Sequence, residues 1–585
     1  MTLDRIVSCS WRRRLKPAAW GSVLALGAVA PAFAETTVTG VEGALLANIL
    51  AYLEIDDLAC DADDFLVQRA LADAVGQATD ALNAYGYYAP EITTGLAPGD
   101  DCWQAEIAIV PGEPVLLREV DLSIETPADN PLLFQPVTSG HMLVPGAQLS
   151  YAEYDGFKRQ LLDVASSRGY AEAAFTDSRI DVFPEERAAD LVLHFTPGPR
   201  YTLGEVTVNQ SGLDPEFVDS YLELEPGMPF DNRLLTSSFV GLSDSGYFQS
   251  VDVRALEADP VLRTIPVSID LTPAPRKVLS YGFGYSTDTG PRFRFGRRIR
   301  RFNERGHQLM LDAMISPVVS EFTSIYRMPV GDPRFDWLNF NVGAKREETD
   351  TALSRSIEGG VRRVVTRPND WARTQYLSYI VEDFEVASQT GRPHLLIPGV
   401  SWTRIRGDDA LRPSAGSKLA FELRAADDQF LSDTSFVQTT AQVKWVRTVT
   451  SRGRVLLRGS AGYTVDDVFA ELPPSIRFFA GGDYSIRGFD FESLGPVDEN
   501  GEVIGGNRLI ELSAEYEHDI KAKWSIAVFT DSGNAFNEEG LDMRTSAGIG
   551  TRWRSPVGPV RIDIAWPIND VESGAHFHIS LGPDL

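Results

Sequence analysis

Polarity along the chain follows two rhythms, and they change over near residue 277. Before that point, segments with apolar residues three or four apart alternate with short extended runs, which predicts helices packed on strands. Beyond it the helical period vanishes, and apolar and polar residues alternate one by one between turn residues. Sixteen such runs are expected, from Val278–Tyr285 to Phe577–Leu581. Near the end, Val560, Ile562, Ile564 and Trp566 share one face, and Arg561, Asp563 and Ala565 the other. Phe577, Ile579 and Leu581 likewise oppose His576, His578 and Ser580.

A period of two suits a pair of stacked sheets or a closed barrel. Arg454, Arg458, Arg552, Arg561 and Asp563 favour the barrel, because a sandwich core buries charge at high cost and a wet lumen does not. After the N-terminus no run approaches the 18 or so apolar residues of a membrane helix, so a membrane location requires a closed cylinder of strands. An even number near sixteen is the expected strand count.

The first half repeats with a period of about 80 residues, as in tandem copies of one unit. Gly86-Tyr87, Gly169-Tyr170 and Gly246-Tyr247 each close a helical pattern, where glycine suits a left-handed cap. Val110-Pro111-Gly112, Thr196-Pro197-Gly198 and Thr272-Pro273-Ala274 then end paired extended runs. Each unit reads strand, helix, helix, strand, strand; in the first, the helices are expected over Gly43–Leu53 and Phe65–Tyr85. Such a small sheet has an open edge, which either accepts an extended peptide or stacks the units on one another.

Arg12, Arg13, Arg14 and Lys16, then the apolar Ala18–Ala30, then Ala32-Phe33-Ala34 predict a secretory signal cleaved before Glu35. Export exposes Cys60 and Cys102 to an oxidising compartment, where they form either a disulfide or two separate buried thiols. No metal site and no cofactor are expected. The net charge of −28 argues against nucleic acid as a partner. Enzyme motifs such as G-x-S-x-G and H-E-x-x-H are missing from the sequence. The domains expected are a signal peptide over 1–34, units over 35–113, 114–199 and 200–276, and a barrel over 277–585.

One long connection, Pro473 to Asn507, contains Phe478-Phe479-Ala480-Gly481-Gly482 and then Ile486-Arg487-Gly488-Phe489. Its glycines and aromatics suggest an ordered hairpin. A later run contains Phe529-Thr530-Asp531-Ser532-Gly533. An arginine carried into a confined lumen needs a carboxylate for its fork, so Arg487 and Asp531 are candidates for a latch; otherwise Arg487 is an ordinary solvated loop residue. At the seam the last run is short and meets Gly582-Pro583, where proline has no N–H to give. The first run, Val278–Tyr285, carries Gly282 and Gly284. Val278, Tyr281, Gly282 and Gly284 would therefore face Phe577, Ile579, Leu581, Gly582 and Pro583 across a weak junction, with Leu279 near Ile579. The junction is either a lateral gate or merely the two ends of a barrel.

These features resemble the Omp85 superfamily. The repeats resemble its β-α-α-β-β POTRA modules, Arg487-Gly488-Phe489 its lumen-folded sixth loop, and Phe529, Asp531 and Gly533 the wall motif that receives it. Three repeats, the turn Ser555–Val560 and the ending Leu581-Gly582-Pro583-Asp584-Leu585 are similar to the TamA branch, although Leu585 is not the usual terminal aromatic. The resemblance implies three periplasmic α+β POTRA modules followed by a 16-stranded antiparallel transmembrane β-barrel in the outer membrane of a diderm bacterium. It further implies a non-enzymatic factor that inserts or exports β-barrel and autotransporter proteins. Its implied partners are a TamB-like inner-membrane-anchored protein, unfolded clients and outer-membrane lipid. The alternative is a two-partner-secretion pore for one exoprotein, though such pores carry two repeats behind a plug helix. A passive porin would leave the repeats unexplained.

Overall fold

A computed structural model describes residues 35–60, 62–98, 102–366, 371–409, 412–538, 540–555, 558–568 and 574–581. The expected signal over 1–34, and Gly582 and Pro583 of the expected seam, lie outside the described residues. Three small sheets come first. The first module contains β1 (Glu35–Thr39), α1 (Gly43–Tyr52), α2 (Asp64–Asn83), β2 (Glu91–Pro98) and β3 (Trp103–Val110). The second contains β4 (Leu116–Ile124), α3 (Gln135–Thr138), α4 (Tyr151–Ser167), β5 (Ala174–Phe183) and β6 (Ala188–Thr196). The third contains β7 (Thr202–Asn209), α5 (Pro215–Asp219), α6 (Asn232–Asp244), β8 (Phe248–Ala255) and β9 (Thr264–Pro273).

In each sheet the third strand is central, parallel to the first and antiparallel to the second. It takes that place because its alternate residues are the most apolar. Ala189, Leu191, Leu193 and Phe195 of β6 are all buried under α4 and its neighbours. Helix starts are fixed locally: Asp63, Ser150 and Asp231 each accept a backbone N–H from the first turn. Helix ends fall just before Gly86, Gly169 and Gly246, whose φ values of 84°, 88° and 75° need glycine. The first helix of the second and third modules is only a single turn, each with proline at its start. Cys60 and Cys102 are joined as a disulfide with Cα atoms 4.9 Å apart, tying the region ahead of α2 to the start of β3.

The barrel is one antiparallel sheet that runs in chain order from Lys277–Ser286 to His576–Leu581. Sixteen strands make its wall, and a three-residue strand, Gln389–Gly391, extends one hairpin beyond it. Many strands are longer than the runs of the sequence; the eighth spans His394–Gly407 rather than Leu396–Arg404. The reason is physical: hydrogen bonding continues into polar rim residues that break the alternation. Outward positions are large and apolar, as at Tyr281, Phe283, Ile357 and Leu512, all more than half exposed. No helix among the described residues is long and apolar enough to cross a membrane. An apolar outside around a polar inside is the reverse of a soluble sandwich, and identifies lipid as the outer solvent. The third module meets the near rim: the N–H of Asp214 donates to Glu304 O at 2.8 Å, and the Tyr247 hydroxyl donates to Gly306 O.

Candidate functional site

The connection between the strands Gly453–Asp466 and Arg508–Lys521 folds into the barrel. It is ordered by its own backbone: Phe478 and Gly506 exchange two hydrogen bonds of 2.8 Å, and Ala480 and Leu494 exchange another two. Arg477 fastens its base by donating to the carbonyls of Leu472, Ile504 and Ala470. Ile486 and Phe489 pack with Ala480, Leu494 and Leu509.

Arg487, on the tip of this loop, is 3% exposed. Its Nε and Nη2 grip both oxygens of Asp531, at 2.7 and 3.0 Å, and its backbone N–H donates to the same carboxylate. Nη1 reaches Glu515 at 2.8 Å and Asp563 at 3.1 Å, and the guanidinium lies 3.4 Å from the ring centroid of Phe529. The wall motif thus gives three services. Phe529 is a platform, Asp531 a bidentate acceptor, and Gly533 permits close strand approach, since a Cβ there would meet Ile510 O at 2.2 Å. Gly488 has φ 103°, and a Cβ would meet that of Ser546 at 2.9 Å; its N–H donates to His578 Nε2 at 3.1 Å.

The pair expected from the sequence is one edge of a network. Arg552 binds Glu515 and Asp563, Arg454 binds Glu517, and Arg458 lies 3.8 Å from Asp531 and donates to Tyr484 O. Around Arg487, Glu515 and Asp563 only about 20 Å³ is free, room for a water or so, whereas the Arg458 side chain is 23% exposed. The charges are tolerated because each is paired and hydrogen-bonded.

The seam lies beside this latch. Among the described residues no ladder joins the first and last strands, which stand at opposite ends of the sheet order. Their direct backbone contact sits at the rim far from the third module. There the N–H of Thr287 donates to Ile579 O at 3.3 Å, and the N–H of Ile579 to Thr287 Oγ1 at 3.2 Å. Ile579 therefore faces Thr287 and not Leu279, eight residues down the strand, about 26 Å at the usual rise. Continued antiparallel register places Leu581 opposite Tyr285 and leaves Val278, Tyr281 and Gly282 below the described end of the last strand. Phe577 points outward, half exposed. The stagger is not legible in the sequence because a barrel's shear is a global property.

Asp483, from the loop, also stands at this rim. It accepts from Ser286 Oγ, Thr287 Oγ1 and His578 Nδ1, each at 2.7 Å. Burial opposes its charge, but those donors outweigh it and hold the carboxyl below its ordinary range. Asp288, in the turn after the first strand, accepts the N–H of Asp483 at 2.8 Å. Burial first, and the Asp483 carboxylate second, push Asp288 up to about 7. Asp288, Asp483 and His578 lie within ligand reach of one another. The oxygens of Asp483 and both nitrogens of His578 are already engaged, so the cluster is self-satisfied without an ion.

Residues 334–584 match the Omp85 superfamily domain, and residues 35–111 match the first POTRA domain of TamA. The chain is 24% identical over 455 residues to the outer membrane protein assembly factor BamA of Nitratidesulfovibrio vulgaris, covering 72% of this chain and 56% of that one. It is also 24% identical over 478 residues to BamA of Neisseria meningitidis serogroup B, covering 69% and 59%. The chain thus spans a little over half the length of these relatives. In fold it is similar to the crystal structure of BamA from Haemophilus ducreyi lacking POTRA domains 1–3. The TM-score is 0.67 at 16% identity, over 79% of this chain and 99% of that one.

Proposed function

From the premise that the chain belongs to the Omp85 superfamily, an outer-membrane barrel with periplasmic POTRA modules and no enzymatic activity, we propose that it assembles or exports β-barrel and autotransporter proteins. The seam carries this reading. Among the described residues, direct hydrogen bonding to the last strand comes from Thr287, just past the end of the first strand, and the first strand's own seam edge, with no described ladder to the last, is suited to receive an arriving strand. The loop is seated inside the barrel through Arg487, which favours sideways delivery into lipid over passage through the pore. The open edges of the module sheets suit capture of an extended segment, from a client or from a TamB-like periplasmic partner.

A photo-crosslinker at Tyr281, on the unzipped part of the first strand, tests the reading in intact outer membranes. Unfolded barrel clients should be trapped there during assembly. Crosslinks to lipid alone, with assembly proceeding at its normal rate, would overturn it. A crosslinker at Thr94, on the β2 edge, should trap the periplasmic partner.

A further inference from the structure

We propose that Asp483 is the positioning residue that holds the seam closed, so that one loop side chain couples loop insertion to the state of the first and last strands. This rests on the reading of the seam as an opening. Among the described residues, direct bonding across the seam is one backbone–backbone bond, from the N–H of Thr287 to Ile579 O, and one from the N–H of Ile579 to Thr287 Oγ1, at 3.3 and 3.2 Å. The carboxylate of Asp483 adds a shorter bridge: Ser286 and Thr287 donate from the first strand's side, and His578 donates from the last. The roles are mutually consistent. His578 Nε2 accepts from the N–H of Gly488, so its ring proton sits on Nδ1 and points at Asp483. Thr287 Oγ1 donates its one hydrogen to Asp483 and stays free to accept from Ile579.

The bridge is also dry: the Asp483 side chain is 1% exposed and that of His578 7%. Charge-assisted bonds in such surroundings exceed neutral ones by about twofold. Asp483 is only four residues from Arg487, and Gly488 touches the same histidine. Withdrawal of the loop would therefore remove, in one movement, the acceptor common to both strands and the donor on His578. Of the bonds among the described residues, the seam would keep the two between Thr287 and Ile579. Loop and seam then form one two-state element rather than two devices.

The test places nitroxides at Tyr285→Cys and Phe577→Cys, both outward-facing, in the full chain reconstituted in phospholipid vesicles. The spin–spin distance is compared among the parent, Asp483→Ala, Asp483→Asn and His578→Phe. Loop seating is followed separately by protease protection of the Val497–Val503 turn. The expected result is a distance longer by one strand spacing or more, about 5 Å, with a broader distribution in each variant and Arg487 still seated. A distribution in Asp483→Ala that superimposes on the parent's would overturn the proposal. Where the alanine variant fails to fold, Ser286→Ala removes one of the Asp483 bonds from the other side, leaves the direct Thr287–Ile579 bonds in place, and must lengthen the distance. The Tyr281 crosslink separates this claim from the one beneath it. Lengthening without any gain in client capture leaves the clamp standing and defeats the opening; client capture with a distance indifferent to Asp483 does the reverse.

Discussion

The three modules bury almost entirely apolar side chains, whereas the barrel buries a network of paired charges beside its apolar clusters. Under the module sheets lie Ile49, Leu82, Leu193, Phe195, Leu242 and Ile269, with little polar company. Inside the barrel the buried side chains include Arg454, Arg487, Arg552, Glu517, Asp531 and Asp563. Each module has water outside and must hide its apolar residues, whereas the barrel has lipid outside and can put them there. Its interior is then free to be specified by ion pairs, whose geometry is exacting where apolar packing is forgiving. The modules are held by burial, and the loop is held by recognition.

That contrast can be broken first at its strongest point. Arg487→Ala leaves Asp531, Glu515 and Asp563 with one fewer cation in a dry site, and should lower loop-seating or barrel stability by roughly 3–5 kcal/mol. Thermal unfolding in detergent measures the loss. Adding Asp531→Ala should cost much less than its own single effect, since both act on one interaction. Strict additivity would dissolve the latch. In the second module, Leu193→Ala should cost about 2–5 kcal/mol by leaving a cavity. Proteolysis should then cut that module while the barrel keeps its heat-modifiable migration on gels. Reducing Cys60–Cys102 should remove roughly 2–4 kcal/mol from the first module alone, read by hydrogen exchange in α2.

The smallest effect sharpens the contrast through pH. Asp288 and Glu492 are each pushed up to about 7, chiefly by burial, with Asp483 adding to the first and Glu347 to the second. Asp288 also faces His578 and Glu492, and Glu492 also faces Lys345. Because both folded values lie above the ordinary ones, their contribution is complete below about pH 4 and is lost as pH rises through about 7. Protease cleavage at Val497–Val503 should therefore be faster at pH 8 than at pH 5.5. Asp288→Asn with Glu492→Gln should flatten the difference.

What could be read from the residues alone follows the same division. Periodicity revealed the modules and the strand alternation because both are local. Gly86, Gly169 and Gly246 marked helix ends because their conformation excludes most other residues. Arg487 and Asp531 were legible as a pair because each sits in a distinctive local motif. Glu515, Asp563 and Arg552 joined them only in three dimensions, through strand register that no short window contains. Asp483 was hidden for a related reason: an aspartate after two glycines looks like ordinary turn chemistry. The facing of Leu279 to Ile579 failed because stagger across a seam depends on the tilt of all sixteen strands.

The lower half of the first strand has one more implication. Backbone amides left bare in hydrocarbon cost several kcal/mol each, far more than the same groups in water. Along Val278 to Phe283, the seam-facing groups that no described residue pairs avoid that cost only where headgroups or water can reach them. Bilayer thickness therefore becomes a control variable for this protein: thinner or more defect-prone membranes relieve the bare edge, and thick, ordered ones raise the reward for any strand that covers it.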